Sequence, residues 1–100
     1  MTSAELFEIV KPNVNGVTPS SNFYDSKIKF LINEVLGYLE SAGVPESALT
    51  EKTAGIVTVG VNDLFDLPSG TIKFSPYFYQ RVTQLEAKAT REKREAAGNV

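Results

Sequence analysis

The side chains of this chain that could carry chemistry are few, and their spacing limits what that chemistry could be. Asp63 and Asp66 stand three residues apart and could share one face of a helix, the arrangement an acid and base pair or two ligands of a divalent cation would use. No ligand-rich segment lies near them, and Asn62 with Asp63 serves equally well as a local cap or turn former, which makes the structural reading the stronger. The chain has no cysteine and no histidine. That removes disulfides, thiolate metal sites, imidazole general bases and nearly every zinc constellation. The serines and threonines then lack the base a hydroxyl nucleophile needs, save for a lysine–serine arrangement that no spacing marks. The glycines of GIVTVG miss the phosphate-cradling GxGxxG pattern, and GK[ST] occurs nowhere. The expectation is no catalytic residue, no cofactor and no metal, and so not an enzyme.

Charge narrows the partners. With 10 basic and 12 acidic residues the formal charge is −2, against the clustered positive charge that a nucleic-acid backbone requires. Lys88, Arg91, Lys93 and Arg94 are interleaved with Glu86, Glu92 and Glu95, the pattern of a solvated helix supported by neighbouring opposite charges. The functional alternative is contact with an acidic partner surface or with DNA passing nearby, an interaction that salt would weaken. No apolar run approaches the roughly 18 residues of a membrane span. The opening TSAELFEIVK has no basic leader, so neither a span nor a signal peptide is expected.

The aromatics say more. Phe74, Tyr77, Phe78 and Tyr79 crowd into a short stretch around a helix start and cannot all face one small core. Phe78 with Val82 and Leu85 takes the inner face, which pushes Tyr77 and Tyr79 outward, where tyrosine is characteristic of protein interfaces.

These residues need elements to position them, and at 100 residues the elements form one domain with a thin core that oligomerisation would reinforce. Thr2 and Glu5 can form a capping box for a helix over residues 3 to 11, stopped by Pro12. PNVNGVTPSSN reads as a loop with room to move. Ile28, Leu31, Ile32, Val35, Leu36 and Leu39 then paint the firmest stripe in the chain, a helix over about 23 to 42, with Ser21 and Asn22 as candidate N-caps and Gly43 before Pro45 as the stop. TAGIVTVGVNDLFDL is rich in β-branched residues, yet Ala54, Val57, Val61, Leu64 and Phe65 fit a helical stripe and no second strand is at hand, so it reads as helix, with Gly55 and Gly60 allowing close approach. After the turn or arm LPSGTIK, Ser75 and Pro76 open a last helix whose large apolar residues end at Leu85. The fold expected is all-α, a bundle of about four helices. Residues 1–22 form an N-terminal helix and loop, 23–86 the helical core and 87–100 a charged extension.

In their order and spacing, the helix YDSKIKFLINEVLGYLE, the GVNDLF element, the loop at Ser69 and Gly70 and the block FSPYFYQRVTQL resemble the phage head-tail connector family that forms the neck adaptor ring. The resemblance covers roughly residues 25 to 86. The family pattern often carries tryptophan where this chain has Phe65, and a longer loop where it has DLPSGTIK. The resemblance implies a helical bundle assembled as a ring of its own copies, dodecameric in the virion, beneath the portal protein and docked to a downstream neck or tail-completion protein. DNA would be passing cargo only, and the chain would occupy the host cytoplasm during assembly. It also implies a role for the loop residues Pro68, Ser69, Gly70, Thr71 and Lys73 in reaching a neighbour or the lumen. Phe74, Tyr77, Tyr79 and Arg81 would pack the ring, with Phe74 and Tyr79 mattering more to assembly than to subunit folding. Lys88, Arg91, Lys93 and Arg94 would lie near a partner or the DNA.

Two other classes compete. A small acidic helical regulator of a host protein would be monomeric or dimeric. A DNA-binding module would need a basic recognition helix, which the interleaved acids of the last helix argue against.

Overall fold

In the computed structural model of the chain, which describes residues 1–68 and 70–98, every regular element is helical. Four α-helices follow in order: α1 Ser3–Val10, α2 Asp25–Ser41, α3 Gly55–Phe65 and α4 Pro76–Gly98. The segment Ile56 to Val61, where strand and helix preferences compete, lies within α3. Burial decides it, because Ile56, Val57, Gly60, Val61, Leu64 and Phe65 all turn into the core from one helix, while an isolated strand would have no neighbour to bond.

α1 begins as its sequence encodes. The Thr2 N–H donates to Glu5 Oε1 at 3.0 Å and the Glu5 N–H to Thr2 Oγ1 at 3.2 Å. Donation from the Thr2 backbone holds the Glu5 carboxyl below its ordinary range. α1 is part of the core rather than an appendage to it, since Leu6 and Val10 are fully buried. Pro12 sits in the 3₁₀ turn Lys11–Asn13 that follows.

The loop after this turn is anchored. Val14 and Val17 are buried, and Asn62 on α3 grips the backbone, its Oδ1 accepting from the Asn15 N–H at 2.9 Å and its Nδ2 donating to the Asn13 carbonyl at 3.0 Å. A second tie joins the 3₁₀ turn to the first residue of α2, the 2.9 Å ion pair between Lys11 and Asp25.

α2 starts later than its polar flank suggests. Neither Ser21 nor Asn22 caps it; Tyr24 holds the N-cap position and no side chain caps the helix. Ser21 Oγ accepts from the Phe23 N–H and the Asn22 carbonyl from the Asp25 N–H, so the polar pair builds the approach turn. The Tyr24 ring, edge-on to Phe65 at 5.2 Å, fixes where the chain enters. The other end closes as expected. Gly43 takes φ +91°, the Val44 N–H donates to the Leu39 carbonyl at 2.8 Å and the Gly43 N–H to that of Glu40 at 3.1 Å, a Schellman motif sealed by buried Val44 and Leu39.

α3 crosses the bundle at Gly60. A Cβ there would lie 2.8 Å from Phe78 Cε2 on α4 and 2.9 Å from Val35 Cγ2 on α2, closer than carbon atoms approach. Gly55, expected to serve the same purpose, faces open space. α4, about 34 Å long at 1.5 Å per residue, accounts for much of the 50 × 24 × 18 Å outline. Its large core residues end at Leu85, but Ala89 remains half-buried beside Ala48 of the α2–α3 connection.

Gly37 and Gly60, each in the interior of a helix, should respond oppositely to a methyl group. Gly60→Ala is expected to cost about 1–3 kcal/mol through overpacking. Gly37→Ala, on the exposed side of α2 with nothing within 4 Å, should gain about 0.5–1 kcal/mol. Urea unfolding followed by circular dichroism measures both.

Candidate interface surface

Ser75 sets the start of α4 and ties it to α3. Its Oγ accepts from the Phe78 N–H at 3.3 Å, the N-cap bond to the third helical residue, and donates to Asp63 Oδ2 at 2.9 Å, while the Ser75 N–H reaches the same carboxylate oxygen at 3.0 Å. Asp63 is therefore a long-range tie rather than a local cap. Asp66, the residue at which α3 ends, is exposed. Among the described residues, Asp63 alone of the two acids weighed as a pair makes a side-chain tie, and no three acids gather as metal ligands would.

This tie carries the aromatics. Phe74 stacks on Phe78 with centroids 4.0 Å apart and planes 19° apart, and Tyr38 of α2 leans on both rings at 5.1 and 5.7 Å. Phe74 is only 4% exposed, so the sequence expectation that it packs a neighbouring subunit is corrected: it belongs to the subunit's own core. The residue precedes the helix, in the irregular stretch that follows Thr71, and its ring lies back on Phe78, a placement that helical periodicity does not describe.

Tyr77 and Tyr79 do face outward, 57% and 42% exposed. They do so on different sides, since two residues turn a helix by about 200°. Arg81 lies one turn beyond Tyr77 on the same edge, and its guanidinium donates to Gln84 Oε1 at 3.3 Å. Tyr79 borders Tyr38 across α2, 6.0 Å between centroids.

The α3–α4 loop closes with the Thr71 N–H donating to the Pro68 carbonyl, Gly70 taking φ +86°. Pro68, Gly70, Thr71 and Lys73 are exposed; Ser69 lies outside the described residues. The loop also presents Ile72, 51% exposed, which shares an apolar cleft with Phe30 of α2, 58% exposed. Sequence reading passed over Phe30. The signal was there, because Phe30 falls on the side of α2 opposite the Ile28, Leu31, Ile32 and Val35 stripe, where a large apolar residue has no core to enter.

Lys88, Arg91, Lys93 and Arg94 are all exposed on the outer half of α4, and among the described residues none of them forms an ion pair. The recorded side-chain bond there runs from Thr90 Oγ1 to Glu86 Oε1, 2.9 Å.

Two measurements check this arrangement. Phe74→Ala is expected to cost about 3–5 kcal/mol of subunit stability, against under about 0.5 kcal/mol for Tyr77→Ala at the surface; thermal unfolding separates them. In a double-mutant cycle, Asp63→Ala and Ser75→Ala should each destabilise by about 1–2 kcal/mol, with the double variant costing clearly less than the sum.

Comparison of the chain with protein-family models, curated proteins and solved structures finds no match.

Proposed function

We propose that this chain is the subunit of a phage head-tail connector ring, a structural protein beneath the portal that joins capsid to tail and surrounds the channel through which DNA leaves. The reading rests on the sequence resemblance over residues 25 to 86 and on one structural observation. A small all-helical subunit leaves large apolar side chains uncovered in two places, Tyr77 on one side of α4 and Tyr79 on the other. Tyr79 borders Tyr38, which stands on the same four-residue row of α2 as Glu34 and Phe30 with its Ile72 cleft. Two distinct sticky faces on one subunit suit head-to-tail contacts, which close into a ring when the rotation between neighbours divides a full turn.

In this role the chain makes and breaks no bonds. Copies of itself form the ring, the portal and the next neck or tail component dock above and below, and the loop carrying Pro68, Gly70, Thr71 and Lys73 reaches toward a neighbour or the lumen. The outer half of α4, with Lys88, Arg91, Lys93 and Arg94, faces a partner or the passing DNA. No helix of the described residues is long and apolar enough to cross a membrane.

Light scattering coupled to size exclusion over a concentration series tests the proposal. A closed assembly of fixed large mass, formed by the chain alone at high concentration or on adding portal protein, is the expected result. A chain that stays monomeric throughout, or stops at a stable dimer, overturns it, and the dimer would favour a regulator of a host protein.

A further inference from the structure

We infer that the ring contact joins the Tyr77–Arg81 edge of α4 in one copy to the Phe30–Ile72–Tyr79 face of the next, an assignment that rests on the connector reading. The argument is charge and area. Tyr77, Arg81, Gln84, Lys88 and Arg91 recur at steps of four and three residues, so they line one edge of α4. Up to Arg91 that edge holds three cations and no acid, and Glu92 and Glu95 enter only toward the tip.

The other face has the opposite balance. Glu34 lines the cleft of Phe30 and Ile72, and Glu86 lines a second cleft beside Tyr38 and Tyr79. Of the cations near Phe30 in sequence, Lys29 is drawn over the Phe7 ring at 4.9 Å and Lys27 over the Phe65 ring at 4.2 Å. Among the described residues, exposed Lys73 beside Ile72 is therefore the one cation set against these two carboxylates. The face therefore offers carboxylates beside exposed apolar rings, matching an edge that offers cations beside an exposed tyrosine.

The areas fit as well. At about 150–250 Å² for a whole aromatic side chain, the exposed parts of Phe30, Tyr79 and Ile72 together amount to roughly 300 Å², a fitting apolar centre for an interface of about 800 Å² per partner. Pairing the face with itself would set Glu34 and Glu86 against acids and leave Tyr77 uncovered. Pairing it with the opposite edge covers both.

Mixing two blocked variants tests this. Phe30→Asp with Glu34→Lys disables the face, and Tyr77→Asp with Arg81→Glu disables the edge; none of these residues is fully buried, and circular dichroism melting verifies that each variant folds. Each alone should lose all assembled mass seen for the unaltered chain. Mixed in equal amounts, they retain one intact face and one intact edge between them and should give a one-to-one heterodimer that grows no further. If the unaltered chain forms rings while either variant still does, or while the mixture stays monomeric, the assignment is overturned and the ring reading stands. If the unaltered chain never assembles, both fall together.

Discussion

Between α2, α3 and α4 there is a point where no side chain fits. At Gly60 the backbone of α3 runs so close to Val35 and Phe78 that a single methyl group would overlap both. Burial near this point is complete: Val35, Val57, Val61 and Phe78 are sealed from solvent, and Ile32 and Ile56 nearly so. Packing of this density is how a small chain obtains a core at all, because its surface is large relative to its volume. The missing side chain sets the distances of α2 and α4 from α3, and through α4 it sets where Tyr77 and Tyr79 stand.

Two adjacent polar residues hold what the core does not reach. Asn62 bonds the backbone of the N-terminal loop, and Asp63 bonds Ser75 at the start of α4. Neighbours in sequence on a helix point about 100° apart, so one turn of α3 can grip two segments distant from it and from each other. Both serve otherwise orphaned backbone groups, and the apolar contacts of the same helix remain undisturbed.

Much of this was legible in the sequence for physical reasons that differ from one element to the next. The capping box at Thr2 and Glu5, the Schellman stop at Gly43 and the Ser75–Pro76 start are local chemistry, complete within a few residues, and they read directly. The helical character of α3 was legible despite its β-branched residues, because the stripe from Ala54 to Phe65 outweighs propensity when there is a core to receive it. What escaped depends on contacts across the chain. Tyr24 rather than Ser21 or Asn22 opens α2 because Phe65 lies beneath its ring, and Phe74 is buried because its ring packs on Phe78 and Tyr38 from outside the helix. The outward position of Tyr77 and Tyr79 followed from periodicity, but their placement on opposite sides acquires meaning only beside Phe30 and Ile72, which periodicity alone does not bring together.

The length of α4 has a mechanical consequence. One unbroken helix runs from the aromatic cluster at Phe78 to residues well past the last large core side chain, Leu85, and its base is fixed by stacked rings and by Asp63. Such a rod pivots as a whole, because bending it would break backbone hydrogen bonds along its length. With about 30 Å of helix between Phe78 and Gly98 at 1.5 Å per residue, a tilt of roughly 10° at the base would swing the tip by about 5 Å. A load applied to the charged tip is therefore felt as torque at Ser75 and Phe78, and a small shift in their packing is magnified at the far end.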